Sequence, residues 1–206
     1  MSLIRPKRTG LIAAPYVKRL VAEKFRTNDT AFTFRMNAGF PGDINRGHPA
    51  SIQPCLVSPI NPVTQYGAPC MVDTAGGSNG GVRPVAAADK TAAITQIWGV
   101  TARPYPIQQA TSSNQYGAVP YGSGAIPAQQ PVDVLRGGYI MVPVVGSPVK
   151  GGNVWIWTAA SGGGHTVGGF EAVDGSGNTV ALDPDNYAWN SPPDATGIAE
   201  LILNKF

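Results

Sequence analysis

Apolar and polar positions first alternate regularly at 28–34, where NDTAFTF places Phe32 and Phe34 opposite Ala31, Thr33 and the following Arg35, the period of a strand. From Gly39 onward glycine and proline punctuate the chain every few residues. Between them lie short runs rich in β-branched and aromatic residues, at 51–57, 68–73, 93–102, 138–145, 153–158, 167–173 and 179–182. Many short strands with regular turn signals predict an all-β domain, a jelly roll or a β-barrel or sandwich. The runs 170–173 and 179–182 flank Asp174-Gly175-Ser176-Gly177-Asn178, which predicts a hairpin, and Lys150-Gly151-Gly152-Asn153 predicts a second, joining YIMVPVV to VWIWTAA. Pro143 puts the first of these strands at an edge or a bulge. Residues 104–131, rich in Pro, Gly, Gln and Ser, show no period. That predicts a long excursion, functional or ordered by a partner. Before the β-region, Tyr16, Val17, Leu20, Val21 and Phe25 fall at one-, three- and four-residue steps, one side of a short helix after Pro15.

Composition narrows the classes. Glycine (26) and proline (19) together exceed a fifth of the 206 residues, where about 12% is ordinary. Helical bundles and coiled coils are excluded. Charged residues make up only 13% against 43% hydrophobic, enough for one core but with a surface so poor in charge that a partner is expected to cover much of it. Within that low total the charge is uneven. Residues 1–35 carry Arg5, Lys7, Arg8, Lys18, Arg19, Lys24, Arg26 and Arg35 against Glu23 and Asp29, a net +6, while 36–206 carry a net −3. This divides the chain into a basic N-terminal arm, 1–35, and a β-domain, 36–206. The arm is either a solvated leader or seeks an acidic surface, a phosphate backbone or a groove on another protein. No run approaches the roughly 18 apolar residues of a membrane span, and MSLIRPKRTG lacks the apolar region of a signal peptide. A soluble product that stays where it is made is expected.

Chemistry is sparse. The imidazoles are His48, in the turn Arg46-Gly47-His48-Pro49, and His165, in a glycine run, and neither accompanies a Gly-x-Ser-x-Gly elbow or an HExxH. Asp183, Asp185 and Asp194 lack the alternation and terminal Glu of a calcium loop, so they read as turn formers. Cys55 and Cys70 lack CxxC spacing and are expected as buried thiols. No catalytic residue, metal site or cofactor is predicted. Trp155 and Trp157 share one strand face, which is either a stacking platform for a sugar or base, or a core or interface face. A carbohydrate-binding module using Trp155 and Trp157, or Tyr116 and Tyr121, is therefore the alternative function. A nucleic-acid role through Arg5, Lys7 and Arg8 is the less favoured one.

The segment FPGDINRGH at 40–48 resembles the Pro-Gly-Asp-aliphatic-x-Arg opening of the β-domain in tailed-bacteriophage capsid cement (decoration) proteins. PVTQYG at 62–67, Val82-Arg83-Pro84 followed by Asp89, WGVTARPYP at 98–106 and VDVLRGGYIM at 132–141 follow in the order that family shows. The resemblance spans about 36–185 and leaves the arm unexplained. It implies a non-enzymatic barrel or jelly roll on the outer face of the assembled phage head, made in the host cytoplasm. There it would stabilise contacts between major capsid protein subunits, beside neighbouring copies of itself. Pro41, Gly42, Asp43 and Arg46 are expected to form a structural turn, with Asp43 capping local amides or meeting Arg46. In the arm, Arg5, Lys7, Arg8, Tyr16, Val17, Leu20, Val21 and Phe25 are the expected capsid-binding residues.

Overall fold

The computed structural model describes residues 39–44, 50–90, 95–104, 126 and 128–204. The strand at 28–34, the helix after Pro15 and most of the 104–131 excursion lie outside these residues. The chain divides between Met36 and Asn37, and all described residues belong to the second unit. Its strands are β1 (Ser51–Leu56), β2 (Pro69–Val72), β3 (Val82–Pro84), β4 (Gly99–Ala102), β5 (Pro131–Val145), β6 (Trp155–Trp157), β7 (Phe170–Glu171), β8 (Thr179–Ala181), β9 (Tyr187–Trp189) and β10 (Ile198–Leu203), with a 3-10 turn at Ala87–Lys90.

The strands form one mixed sheet that does not close on itself, in the order β3-β2-β4-β5-β7-β6-β8, with β1 and β10 also on β5 and β9 on β10. The expected barrel is thus absent from the described residues, because the strands are gathered on β5 and are not joined end to end. Residues 131–137 of β5 pair with β1, and 133–135 pair with β4 on the opposite edge. Residues 138–143 pair with β10, and Val144–Val145 run parallel to β7. The change of partner falls at Gly137-Gly138. Ser51 lies opposite Gly137 while Ile52 lies opposite Leu135, so Arg136 has no partner on β1 and forms a bulge.

Both predicted hairpins are overturned. Between β5 and β6 lies β7, parallel to β5, and between β7 and β8 lies β6, antiparallel to both. The 174–178 turn nevertheless forms: Asp174 Oδ1 accepts from Ser176 N (3.1 Å) and from Thr179 Oγ1 (2.8 Å). Such turn chemistry sets a local reversal but not which strand fills the space beside it. Pro143 sits inside β5 opposite Ile198. Met141 directs its N–H and C=O to Asp43 and Gly42, so by alternation Pro143 faces the same edge, between that segment and β7, where no ladder donor is needed.

One core gathers Leu135, Ile140, Val142, Ile156, Phe170, Trp189 and Leu201, with Phe170 edge-on to Trp189 at 6.2 Å. A second gathers Val57, Val63, Cys70, Val82, Ile126, Val132 and Val134. By contrast β1 is exposed at every residue but Cys55, which is half-buried.

Candidate functional site

The Pro-Gly-Asp turn is where four of the sequence landmarks meet. Asp43 N donates to Phe40 O (3.0 Å), and Asp43 Oδ2 accepts from Phe40 N (2.9 Å), closing the turn on itself. Gly42 N donates to Met141 O (2.7 Å), Met141 N to Asp43 O (2.9 Å) and Arg103 N to Gly42 O (2.8 Å), so the turn adds a short rung beside β5. Gly42 holds φ +87° and Gly67 φ +72°, and the two lie back to back. A Cβ on Gly42 would meet Tyr66 Cβ at 2.8 Å and Gly67 N at 3.1 Å, and one on Gly67 would meet Gly42 N at 2.9 Å. Arg103 closes the cluster from outside: Nε donates to Pro41 O (3.3 Å) and lies 3.9 Å from Asp43 Oδ1, and its guanidinium sits over Phe40 (5.2 Å) and Tyr66 (5.5 Å). Asp43 therefore caps an amide and faces Arg103. Arg46, its other expected partner, lies outside the described residues, as do Arg5, Lys7, Arg8, Tyr16, Val17, Leu20, Val21 and Phe25. Phe40, Tyr66 and Arg103 were not singled out from sequence, although each sits in a quoted landmark. Their signal is an arginine and two aromatics beside turn glycines, and it becomes specific only once the distant segments are paired.

The landmark Val82-Arg83-Pro84 with Asp89 forms a clamp. Arg83 Nη1 and Nη2 donate to the two oxygens of Asp89, each at 2.7 Å, and Ala86 N donates to Asp89 Oδ2 (2.7 Å). The Arg83 hydrogen bonds, then the Ala86 amide, hold the Asp89 carboxyl below the ordinary carboxylate range against the opposing effect of burial. Asp73 is lowered as well, first by Ser58 Oγ (2.6 Å) and then by Ala75 N (3.0 Å). Both groups have folded pKa values below their unfolded ones. The stabilisation they give is present above the unfolded value near 3.9 and is lost as pH falls through the folded values. Thermal melting of the free protein should therefore be flat above about pH 5 and fall steeply below about pH 4. Asp89→Asn is expected to cost about 2 kcal/mol at neutral pH and to shallow the acid limb. An acid limb identical to that of the wild type would show that Asp89 is not its source.

His165 Nδ1 and Glu171 Oε1 are 2.8 Å apart, with Glu171 buried, and His165 stacks on Trp157 at 4.1 Å. The Gly163-Gly164 turn, both residues at positive φ, carries His165 back onto the sheet through reciprocal bonds with Gly162. No hydroxyl or thiol among the described residues hydrogen-bonds to the His165 ring. Trp157 is half-buried: His165 covers one ring face, a Cβ on Gly175 would lie 2.9 Å from its Cζ3, and Nε1 donates to Ala160 O (3.2 Å). The face that His165 covers is not open to a sugar. Tyr116, Tyr121 and His48 lie outside the described residues.

Asp183 and Asp194 serve turns. Asp183 accepts from Asp185 N (3.0 Å) and Asn186 Nδ2 (2.7 Å), and Asp194 Oδ1 accepts from Thr196 N (2.8 Å) and Ile198 N (3.0 Å). Among the described residues no three His, Cys, Asp or Glu side chains group to hold a metal ion. Cys55 and Cys70 are free thiols, and burial pushes Cys70 up to about 12. No helix among the described residues is long and apolar enough to cross a membrane.

What remains is surface. Phe40, Ile52, Leu56, Ile60, Val149 and Val173 are exposed large apolar side chains, and two of them lie on the doubly exposed strand β1. The family model described as structural cement protein (E217 gp24/Pam3 gp6) matches residues 28–204. The chain belongs to the phage structural cement protein family. A chain in the solved capsid of Myoviridae phage XM1 shares the fold with a TM-score of 0.57 and 17% identity, over 84% of this cement protein and 94% of that chain. No curated protein matches. The cement family is structural and not enzymatic, and it places the chain in the bacteriophage virion, associated with the capsid shell. The match begins at residue 28, so it includes the last residues of the basic arm.

Proposed function

We propose that this cement protein binds the outer surface of the assembled head and ties neighbouring major capsid protein subunits together, with further copies of itself beside it. The family match over 28–204 carries the proposal. The geometry suits it: the sheet is locked internally by the Gly42–Gly67 contact and the Arg83–Asp89 clamp, and its remaining feature is a strand exposed on both faces. A protein that binds only assembled neighbours stabilises the assembly by mass action. At a free concentration about 100 times Kd each occupied site gains about 2.7 kcal/mol. Residues 1–35, with Arg5, Lys7 and Arg8 and the apolar set from Tyr16 to Phe25, act in this reading as an anchoring arm on capsid protein.

Heads made without the protein should assemble, yet release DNA at lower temperature and rupture more readily on dilution into low salt. The measurement is a thermal and osmotic release assay on heads with and without it, and added purified protein should restore resistance. Unchanged resistance would sink the proposal.

A further inference from the structure

Three arginines are described, and two are committed to aspartates: Arg83 to Asp89 at 2.7 Å and Arg103 to Asp43 at 3.9 Å. Arg136 is different. It is the bulged residue of β5, so its side chain is not set by the pairing with β1. Its guanidinium carbon lies over the Trp98 ring, 3.6 Å from the centroid, a contact that restrains the planar group against the indole. No carboxylate among the described residues pairs with it. Arg136 Nε and Trp98 Nε1 are both buried without an acceptor. Two orphaned N–H donors in one stack are unusual in a folded protein, where buried polar groups are nearly all satisfied. Both orphaned groups at this place are donors.

Resting on the cement reading, the geometry points to the Arg136–Trp98 stack as an anchor that receives a carboxylate from an Asp or Glu side chain of the shell protein. A half-buried, restrained guanidinium presents a fork that matches a carboxylate with two parallel hydrogen bonds. The indole beside it excludes water and strengthens the attraction. A phosphate backbone is the poorer occupant, since it is tracked by several cations together. The described residues hold only Lys90 and Lys150 besides the three arginines, and two of those arginines are already paired.

The test is quantitative co-sedimentation of the full-length protein with heads lacking it, alongside thermal melting of each free variant. Arg136→Met should melt like the wild type and bind heads roughly 30-fold more weakly, the effect of removing one partner from a desolvated charge pair. Arg136→Lys keeps the charge without the fork and should fall between them. It decides the matter if the methionine variant does not fold. Converting shell carboxylates to amides with a carbodiimide and glycinamide should abolish the difference between wild type and Arg136→Met. Both folded variants binding within about twofold of the wild type would overturn the anchor. So would a wild-type advantage that survives carboxylate amidation, or that appears instead on naked DNA. If the wild type itself fails to bind heads, the cement reading falls, a result distinct from failure of the anchor.

Discussion

Gly42→Val is expected to destabilise the free protein by about 4 kcal/mol and to lower its melting temperature by about 10 °C or more. Gly42 sits at φ +87°, a conformation that a β-branched residue occupies only under strain of roughly 1–3 kcal/mol. Its new Cβ would lie 2.8 Å from Tyr66 Cβ, 3.0 Å from Arg103 N and 3.1 Å from Gly67 N, the last two backbone donors already bonded to Gly42 O and Thr101 O. Overpacking of this kind adds about another 1–3 kcal/mol. A combined loss of about 4 kcal/mol is a large share of a total stability of about 5–15 kcal/mol. Gly177 provides the control, with φ +91° and nothing within 4 Å of a built Cβ. Comparing Gly42→Ala with Gly177→Ala by urea unfolding separates the crowding from the backbone strain, and the first should lose at least about 1 kcal/mol more. If Gly42→Val melts like the wild type and loses only head binding, the turn is a contact element.

Removing residues 1–35 is expected to lower head occupancy about 100-fold or more while leaving the melting temperature of the free protein nearly unchanged, because a tethered second contact multiplies affinity by about 10²–10⁴. The segment carries +6 against −3 for the rest of the chain, and its apolar residues keep helical spacing. A helix of about 11 residues is marginal in water by itself and gains order on a partner. Because the family match starts at residue 28, a second truncation lacking only 1–27 locates the boundary. If it binds as poorly as the longer deletion, the anchor lies before residue 28. If the longer deletion alone unfolds the protein, 28–35 belong to the β-domain. If 1–27 proves indispensable for folding, the arm proposal fails. A salt dependence near −0.9 per phosphate contacted would instead identify DNA as the partner.

Strand content was legible where short β-rich runs are bounded by turn formers. The runs at 51–57 and 68–73 hold β1 and β2 nearly whole, bounded by the expected glycines and prolines. β10 was missed because Ile198–Leu203 is buried at every position but Ile202, so no alternation survives, and its Glu200 is engaged with Asn190 inside the fold. The first half of β5 was missed because Arg136-Gly137-Gly138 reads as a breaker, whereas it is the bulge and partner exchange within one continuous strand. The two failed hairpins share a cause: β6 and β7 are three and two residues long, and each inserts between strands that a local turn joins in sequence, β7 between β5 and β6 and β6 between β7 and β8. At the Pro-Gly-Asp turn the pieces were visible singly. Their convergence was not, since Gly42, Gly67, Arg103 and Met141 are brought together only by the sheet.

The placement of β5 has a mechanical consequence. Among the described residues, every ladder path from β1–β4 to β6–β10 runs through this one fifteen-residue strand. A tensile load entering on β1 and leaving on β10 passes along the β5 backbone, so these flanking ladders are loaded in shear, with their hydrogen bonds sharing the force at once, whereas β7 is held to β5 over two residues. Peeling an outer strand such as β8 would break bonds one after another at far lower force. The molecule is thus stiff along one axis and compliant across it, in the manner of a tie rod with hinged fittings, and the direction in which β5 lies relative to a strained surface decides which of these it presents.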